Sequence, residues 1–514
     1  MSRWQRYWFA EGGRYAVAIV RIAIAAAVLL TLARLDNNVS TGDVPGSHTL
    51  YRPVGIWMLL GRTPPPAIVV SALWVIAWTA TVAMLAGFQT RISTAVSFVT
   101  ALALASLSFA SSTRWSHQYN VVFLAQCAFL GARGGDVLSI DALIRHRRGL
   151  PAIDLPRAYQ WSLRLVQLAV AVMFACAAFH KIMHGHFTLR WAVSDNLRHQ
   201  LLARFDLAGL PRPQLVNWII DDPWKYRTVA VLNLISQAAP LLACFMTRHP
   251  LIRAFCGAFF LLETVALAFV VNLWNPHWLP LFAVFVDWDW LLRRPKPVEV
   301  VPPPTWQPKL AIRIWIVVFV SYDVLTALIP ALDQKLNTYP FSGFPMFSTV
   351  LANEPYTGHS DYVIPGDHFE VTPAVDVTIQ RWFDHSNRGM FDERDPKRLE
   401  ARMRAMWAQA QRRYPDVKFE RVRLYYTMFV APAYPAPAHF DMKPIAIVGE
   451  LSADGSFKTH VGPYPDRKPL GYYKNNTPVL IPFDGTLDGD PIVTVTEDEG
   501  IAWVTSSHAD WRWQ

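Results

Sequence analysis

Charge is what this sequence has least of. Asp, Glu, Lys and Arg make up 17% of its 514 residues, against about 25% in an ordinary soluble domain. With 52% hydrophobic residues and a mean hydropathy of +0.19, the chain reads poorly as a soluble protein. Cysteine is also scarce. Cys127, Cys176, Cys244 and Cys256 all lie in apolar stretches, with no CxxC and no Cys/His metal spacing. They read as small buried packing residues, and no metal site is expected. The C-terminal portion has no cysteine, which excludes a disulfide framework there. No small-residue cleavage site follows the first apolar run, so that run reads as a retained span. Internal repeats and low-complexity tracts are lacking too, and without an inverted repeat a transporter is the weaker reading.

Apolar runs fill the N-terminal portion. Nine candidate spans lie near 15–35, 67–87, 92–111, 119–133, 162–182, 226–246, 252–273, 277–292 and 309–330. Most approach the ~20 residues that cross a bilayer; the fourth and eighth are short. The 21 tryptophans suit membrane–water interfaces. The net charge of +9 does not point to nucleic acid, because the cations cluster beside apolar runs. Arg3, Arg6 and Arg14, then Arg91, then Arg145, Arg147 and Arg148, then Arg248 and Arg253, then Arg293, Arg294 and Lys296 all fall on one side, the positive-inside pattern. The N-terminus is therefore expected in the cytoplasm. The segment 183–225 opposes the rule with Arg190, Arg198, Arg204, Arg212 and Lys225, and its Trp191 to Phe205 stretch reads as an amphipathic surface helix.

The expected architecture is a polytopic α-helical membrane domain over 1–295, a Pro-rich linker over 296–308, a last span over 309–330, and an extracytoplasmic α+β, β-rich domain over 331–514. Period-2 alternation predicts strands at 369–382, 418–431, 443–450 and 491–496. A helix near 395–413 turns Leu399, Met403, Met406 and Trp407 to one face.

Ionisable groups inside spans are costly, and each is a candidate for function. Arg21 lies near the inner surface, within snorkelling reach. Glu263 and Asp323 sit mid-span, while Asp287 and Asp289 suit interfacial anchoring. The richest constellation falls at the outer ends of three spans: Arg114, Trp115 and His117; His180, Lys181, His184 and His186; Asn275 and His277. A desolvated lysine there can serve as a base, and a histidine can relay protons. An ordinary interfacial belt explains the same residue types.

These motifs resemble a known family. TRWSHQYN, then SIDALIRHRR, then Arg164 and Gln167 ahead of Lys181 look like the membrane domain of the vitamin K-dependent gamma-carboxylase, shared with bacterial horizontally transferred transmembrane (HTTM) proteins. The resemblance spans about residues 10–295 and includes Arg21. It implies a site facing away from the cytoplasm, with Lys181 as the base that deprotonates a reduced vitamin K-like quinol, and with His117 assisting. It further implies an exported peptide or protein substrate, a carboxylase-like lyase chemistry, and a bacterial inner or plasma membrane. His180 stands where the family enzyme has the first of two adjacent lysines. Arg114, Trp115, Glu263 and His277 are the candidates for holding a cofactor. A different class of function is open at this point: a non-enzymatic membrane factor whose outer domain binds an exported peptide, protein or lipid.

Overall fold

The computed structural model describes residues 2–35, 51, 53–61, 63–110, 117–206, 210–246, 249–292, 306–329, 339–341, 362–386, 390, 393, 395–436, 441–459, 471–474, 477–480, 493–498 and 501–506. Seven described helices are long and apolar enough to cross a bilayer. They are α1 (Arg14–Leu32), α2 (Ala67–Ala86), α3 (Thr90–Phe109), α4 (Gln160–His184), α5 (Pro223–Phe245), α6 (Pro250–Val270) and α7 (Leu310–Leu328). The shortest have 19 residues and the longest 25. At ~1.5 Å per residue, these lengths match a ~30 Å hydrocarbon core.

The expected fourth and eighth spans take a different form. The fourth is a fully buried nine-residue helix, Asn120–Ala128. The eighth is a ten-residue 3-10 helix, Pro276–Phe285, in which Pro276 and Pro280 withhold two of the donors that α-helical bonding needs. Its tighter rise carries it ~20 Å in those residues. The segment Pro276–Phe285 is tied at both of its ends. At one end His277 Nε2 and Trp278 Nε1 donate to the Gln118 carbonyl at 2.9 and 2.7 Å. At the other, Arg253 Nε donates to the Phe285 carbonyl at 3.2 Å and its Nη2 pairs with Asp287 at 3.2 Å. Asp287 also caps the short helix Trp288–Leu291, so it does more than anchor an interface.

Arg21 does not snorkel. It is fully buried, donating to the carbonyls of Gly134, Leu138 and Leu85 at 2.8, 2.6 and 3.3 Å. The turn between α2 and α3 is shaped around it. Gly87 adopts φ +70°, and a Cβ there would lie 2.2 Å from Arg21 Nη1. Asp141 fixes the same turn by accepting from the backbone of Gln89 and Thr90 at 2.8 and 2.9 Å.

The basic segment after α4 folds into Arg190–Val193, Asn196–Asp206 and Gln214–Ile220. Asn196–Asp206 is not an open surface helix: Leu197, Arg198, His199, Leu201, Leu202 and Phe205 are all buried. Its cations are answered locally. Arg204 donates to the Val271 and Asn272 carbonyls, Arg212 pairs with Asp206, and Lys225 pairs with Asp221. Arg198 reaches the C-terminal domain, donating to the carbonyls of Pro432 and Ala436.

That domain comprises β1 (Tyr362–Thr372), α8 (Val377–Ser386), α9 (Pro396–Arg413), β2 (Arg421–Ala431), β3 (Asp441–Ser452), β4 (Phe457–Lys458), β5 (Gly471–Lys474), β6 (Thr477–Leu480), β7 (Val493–Asp498) and β8 (Ile501–Ser506). The main sheet has order β1-β2-β3-β8-β7, with β4 also on β3; β3 and β8 are parallel and the other pairs antiparallel. The hairpin β5-β6 is separate. Phe369, Val371, Val422 and Leu424 face α8 and α9 and meet Phe383, Leu399, Met403 and Met406. The intervening positions carry Glu370, Arg423 and Glu450 in register across three strands, with Arg423 Nε 2.6 Å from Glu450. The period-2 pattern thus sorts core from ion pairs.

One expected strand is cut short. Pro373 follows β1, and residues within 373–382 turn into α8 because Asp376 accepts from the backbone of Thr378 and Ile379 at 2.8 and 2.9 Å. This cap outweighs the β-branched content of VTI. The helix expected near 395–413 is α9, capped by Asp395. Most of the Pro-rich linker and most of YPFSGFPMFS lie outside the described residues. Tyr339 and Phe341 of the latter pack on Phe109 and Phe319.

Replacing Arg21 with Met strands the buried Gly134 carbonyl and removes the donors to the part-buried carbonyls of Leu85 and Leu138. At ~1–3 kcal/mol per unsatisfied buried group, the purified Arg21→Met variant should melt well below the parent. An unchanged thermal midpoint would show that the three bonds hold nothing together.

Candidate functional site

Consecutive residues on a helix diverge by ~100°, and α4 uses this to send His180 and Lys181 to different neighbours. His180 Nε2 meets the Ala327 carbonyl of α7 at 2.7 Å. Lys181, 1% exposed, points instead to α5 and α6. Its Nζ donates to Asn233 Oδ1 at 2.5 Å and to Gln237 Oε1 at 2.9 Å. The Trp191 ring lies 4.3 Å from the same nitrogen, a cation–π contact.

The two amides turn their NH2 groups to Glu263 of α6. Asn233 Nδ2 donates to both carboxylate oxygens at 2.8 and 2.9 Å, and Gln237 Nε2 donates to Oε1 at 2.8 Å. Ser236 Oγ adds a bond of 2.7 Å to Oε2. Glu263 is 1% exposed. Cation and anion are therefore separated by one layer of amide. Each amide is oriented by the cation at its oxygen and by the anion at its nitrogen. Asn233, Ser236 and Gln237 share a face because they fall at i, i+3 and i+4.

A cavity of about 200 Å³ opens beside this network. Lys181, Asn233, Ser236, Gln237 and Glu263 form its polar end, and most of the remaining wall is aliphatic. Leu232 and Leu262, each 56% exposed, rim it on the outer surface of α5 and α6. On a spanning bundle that surface faces lipid.

The structure therefore divides the constellation expected from the sequence. Lys181 and Glu263 share the cavity. Among the described residues, His117, His180 and His277 are not part of its wall. His117 lies near His180 instead; burial, with the charge of His180 adding to it, holds the His117 imidazole down to about 4. His277 is buried at the Gln118 carbonyl and beside Tyr119, at 5.2 Å between ring centroids. Arg114 and Trp115 lie outside the described residues. Asp323 is buried in α7, in electrostatic reach of Cys127 and Cys176.

Asn233, Ser236 and Gln237 were not among the expected site residues. Their signal was available: three polar side chains on one face of the apolar stretch AVLNLISQAAPLLA. Neutral amides are inexpensive enough in a membrane helix to pass unnoticed when only ionisable groups are weighed. No family model, no curated protein and no solved structure matches this chain.

Removing one charge of the network leaves the other buried, which costs on the order of 3–5 kcal/mol. Glu263→Leu should therefore lower the thermal midpoint sharply, and Lys181→Met/Glu263→Leu should recover part of the loss. Additive losses in this double-mutant cycle would show that the two charges do not sense each other through the amides.

Proposed function

We propose that the protein is a multi-pass membrane enzyme of the gamma-carboxylase-like HTTM type, in which Lys181 takes a proton from a quinol-like lipid held in the cavity between α5 and α6. The observation that carries this reading is a buried lysine at the polar end of a lipid-facing apolar cavity, bonded to amides and not directly to a carboxylate. A volume of about 200 Å³ suits a head group, with an isoprenoid tail left among the lipids beyond Leu232 and Leu262.

The proton transfer follows from the geometry. Lys181 acts from its neutral amine, formed when the resting ammonium releases its third proton through the cavity to the aqueous phase; that amine has two N–H bonds and one lone pair. Asn233 and Gln237 accept the two N–H bonds, so the lone pair is left for a hydroxyl in the cavity. The lone pair takes the hydroxyl proton, the O–H bonding pair stays on oxygen, and ammonium and phenolate result. The ammonium is then held by two amide oxygens, by the face of Trp191 and by the Glu263 charge behind the amides. These groups are fixed before the reaction, the arrangement that stabilises developing charge most effectively. His117 and His180 fall to a supporting role on the α7 side of α4, apart from the reacting atoms.

In the same reading the two short segments are crossings, making nine in all. The N-terminus is cytoplasmic, the C-terminal domain lies outside a bacterial plasma membrane, and an exported substrate is modified there. The cations in 190–225 oppose that orientation less than their number suggests, because the segment is long and long loops translocate largely regardless of charge.

The test uses the purified full chain in lipid nanodiscs equilibrated with a naphthoquinol. Bound quinolate absorbance should appear at neutral pH and vanish in Lys181→Met, while Ala266→Phe, which fills the cavity wall, should lower quinol retention at least tenfold. Full retention in Ala266→Phe, or a quinolate signal unaffected by Lys181→Met, removes the enzymatic reading. Function then passes to a membrane-anchored binding factor acting through the outer domain.

A further inference from the structure

A second and larger cavity, about 720 Å³, lies at the other end of α4. Its wall is built from the N-terminal helix Arg3–Trp8, the following segment to Gly12, the first turns of α4, the start of α6 and the Asp287–Asp289 turn. Gly12 N donates to the Pro156 carbonyl at 3.0 Å, tying the N-terminal segment over the bundle. Five arginines line the cavity: Arg3, Arg6, Arg157, Arg164 and Arg253. Glu11, Asp287 and Asp289 are its three carboxylates, leaving a formal excess of two positive charges.

Two of the carboxylates are already engaged. Asp287 pairs with Arg253 and caps Trp288–Leu291; Asp289 accepts from the Gly13 backbone. Arg164 is a buried charge that senses Asp287 only at a distance. It is 4% exposed and, among the described residues, has no carboxylate at ion-pair distance. Its Nη1 donates to Gln167 Oε1 at 2.8 Å, and its guanidinium lies 5.6 Å from the centre of the Tyr7 ring. With the Gln160 amide oxygen turned toward it, Nε and Nη2 donate there at 2.7 and 3.0 Å. These are neutral acceptors, which orient the guanidinium without neutralising it.

Gln167 supplies the second, independent sign of a ligand. It is 2% exposed, it lines the cavity, and its Nε2 has no partner. A buried amide donor left unpaired costs ~1–3 kcal/mol, a loss that a bound acceptor removes. Guanidinium forks with an amide N–H beside them match the oxygens of a tetrahedral anion.

We propose that this cavity binds a phosphate-bearing anion, with Arg164 and Gln167 at its base and Arg3 and Arg6 at its rim. The shared chemistry is a phosphate monoester, which the head group of phosphatidic acid and a soluble phosphorylated compound can both present. The N-terminal helix would then act as a clasp whose two arginines close over the anion. The site is separate from Lys181 and does not depend on the quinol reading.

Thermal unfolding of the purified full-length protein separates the sources. One arm titrates inorganic phosphate in detergent. The other compares nanodiscs of phosphatidylcholine with nanodiscs in which phosphatidic acid replaces part of it. A rise of the midpoint with phosphate assigns the site to soluble phosphate compounds; a rise with phosphatidic acid alone assigns it to a head group. In either case Arg164→Gln should weaken the half-saturating concentration at least tenfold. Arg3→Gln/Arg6→Gln should weaken it several-fold without moving the unligated midpoint, because both side chains are exposed; this variant decides the matter if Arg164→Gln fails to fold. No shift in either arm, or a shift undiminished in the Arg3/Arg6 variant, overturns the proposal.

Discussion

An ammonium and a carboxylate held one amide apart inside an apolar bundle constrain much of this structure. Neither charge can reach water, so α4, α5 and α6 must keep a rotation in which Asn233 and Gln237 face Lys181 with their oxygens and Glu263 with their nitrogens. Sliding or rotating α4 by one residue would break both lysine bonds, and the same movement of α6 would break all four bonds to Glu263. A direct salt bridge would tolerate more movement, since either charge could follow the other. The amide layer removes that freedom and leaves Lys181 Nζ pointing at the cavity.

The same solution recurs at several other cations of the bundle, although buried Arg253 pairs directly with Asp287. Arg21 is held by the Leu85 carbonyl of α2 and by those of Gly134 and Leu138 in the segment after Asn120–Ala128, and Arg198 by two carbonyls of the C-terminal domain. Arg204 binds the carbonyls that follow α6. Neutral acceptors satisfy the geometry of a guanidinium while the charge persists. In a low-dielectric interior that charge is then available to organise what approaches it. Arg198 joins membrane and C-terminal domains by this means.

Much of the fold was legible in the sequence. Seven long apolar runs became seven long helices, and the alternation in β2 and β3 sorted Val422 and Leu424 from Arg423 and Glu450. What the sequence concealed was local. Capping by Asp376 converted a β-branched run into α8, and two prolines shaped Pro276–Phe285 as a 3-10 helix. At the site, Lys181 and Glu263 stood out because ionisable groups are rare in spans. The sequence placed His117 and His180 at the same end of the bundle as Lys181, but closeness along the membrane normal carries no information about which way a helix is turned. The rotation of α4 decides that, and it is set by Asn233, Ser236 and Gln237 on α5, the neutral residues that drew least notice.

The most direct measurement of this account is an experimental map of the full chain in lipid nanodiscs with a bound naphthoquinol. The account predicts ring density between α5 and α6, behind Leu232 and Leu262, with an oxygen at hydrogen-bond distance from Lys181 Nζ and with Asn233 and Gln237 still between the lysine and Glu263. A direct Lys181–Glu263 contact with the cavity closed, or the quinol seated elsewhere on the bundle, would contradict it.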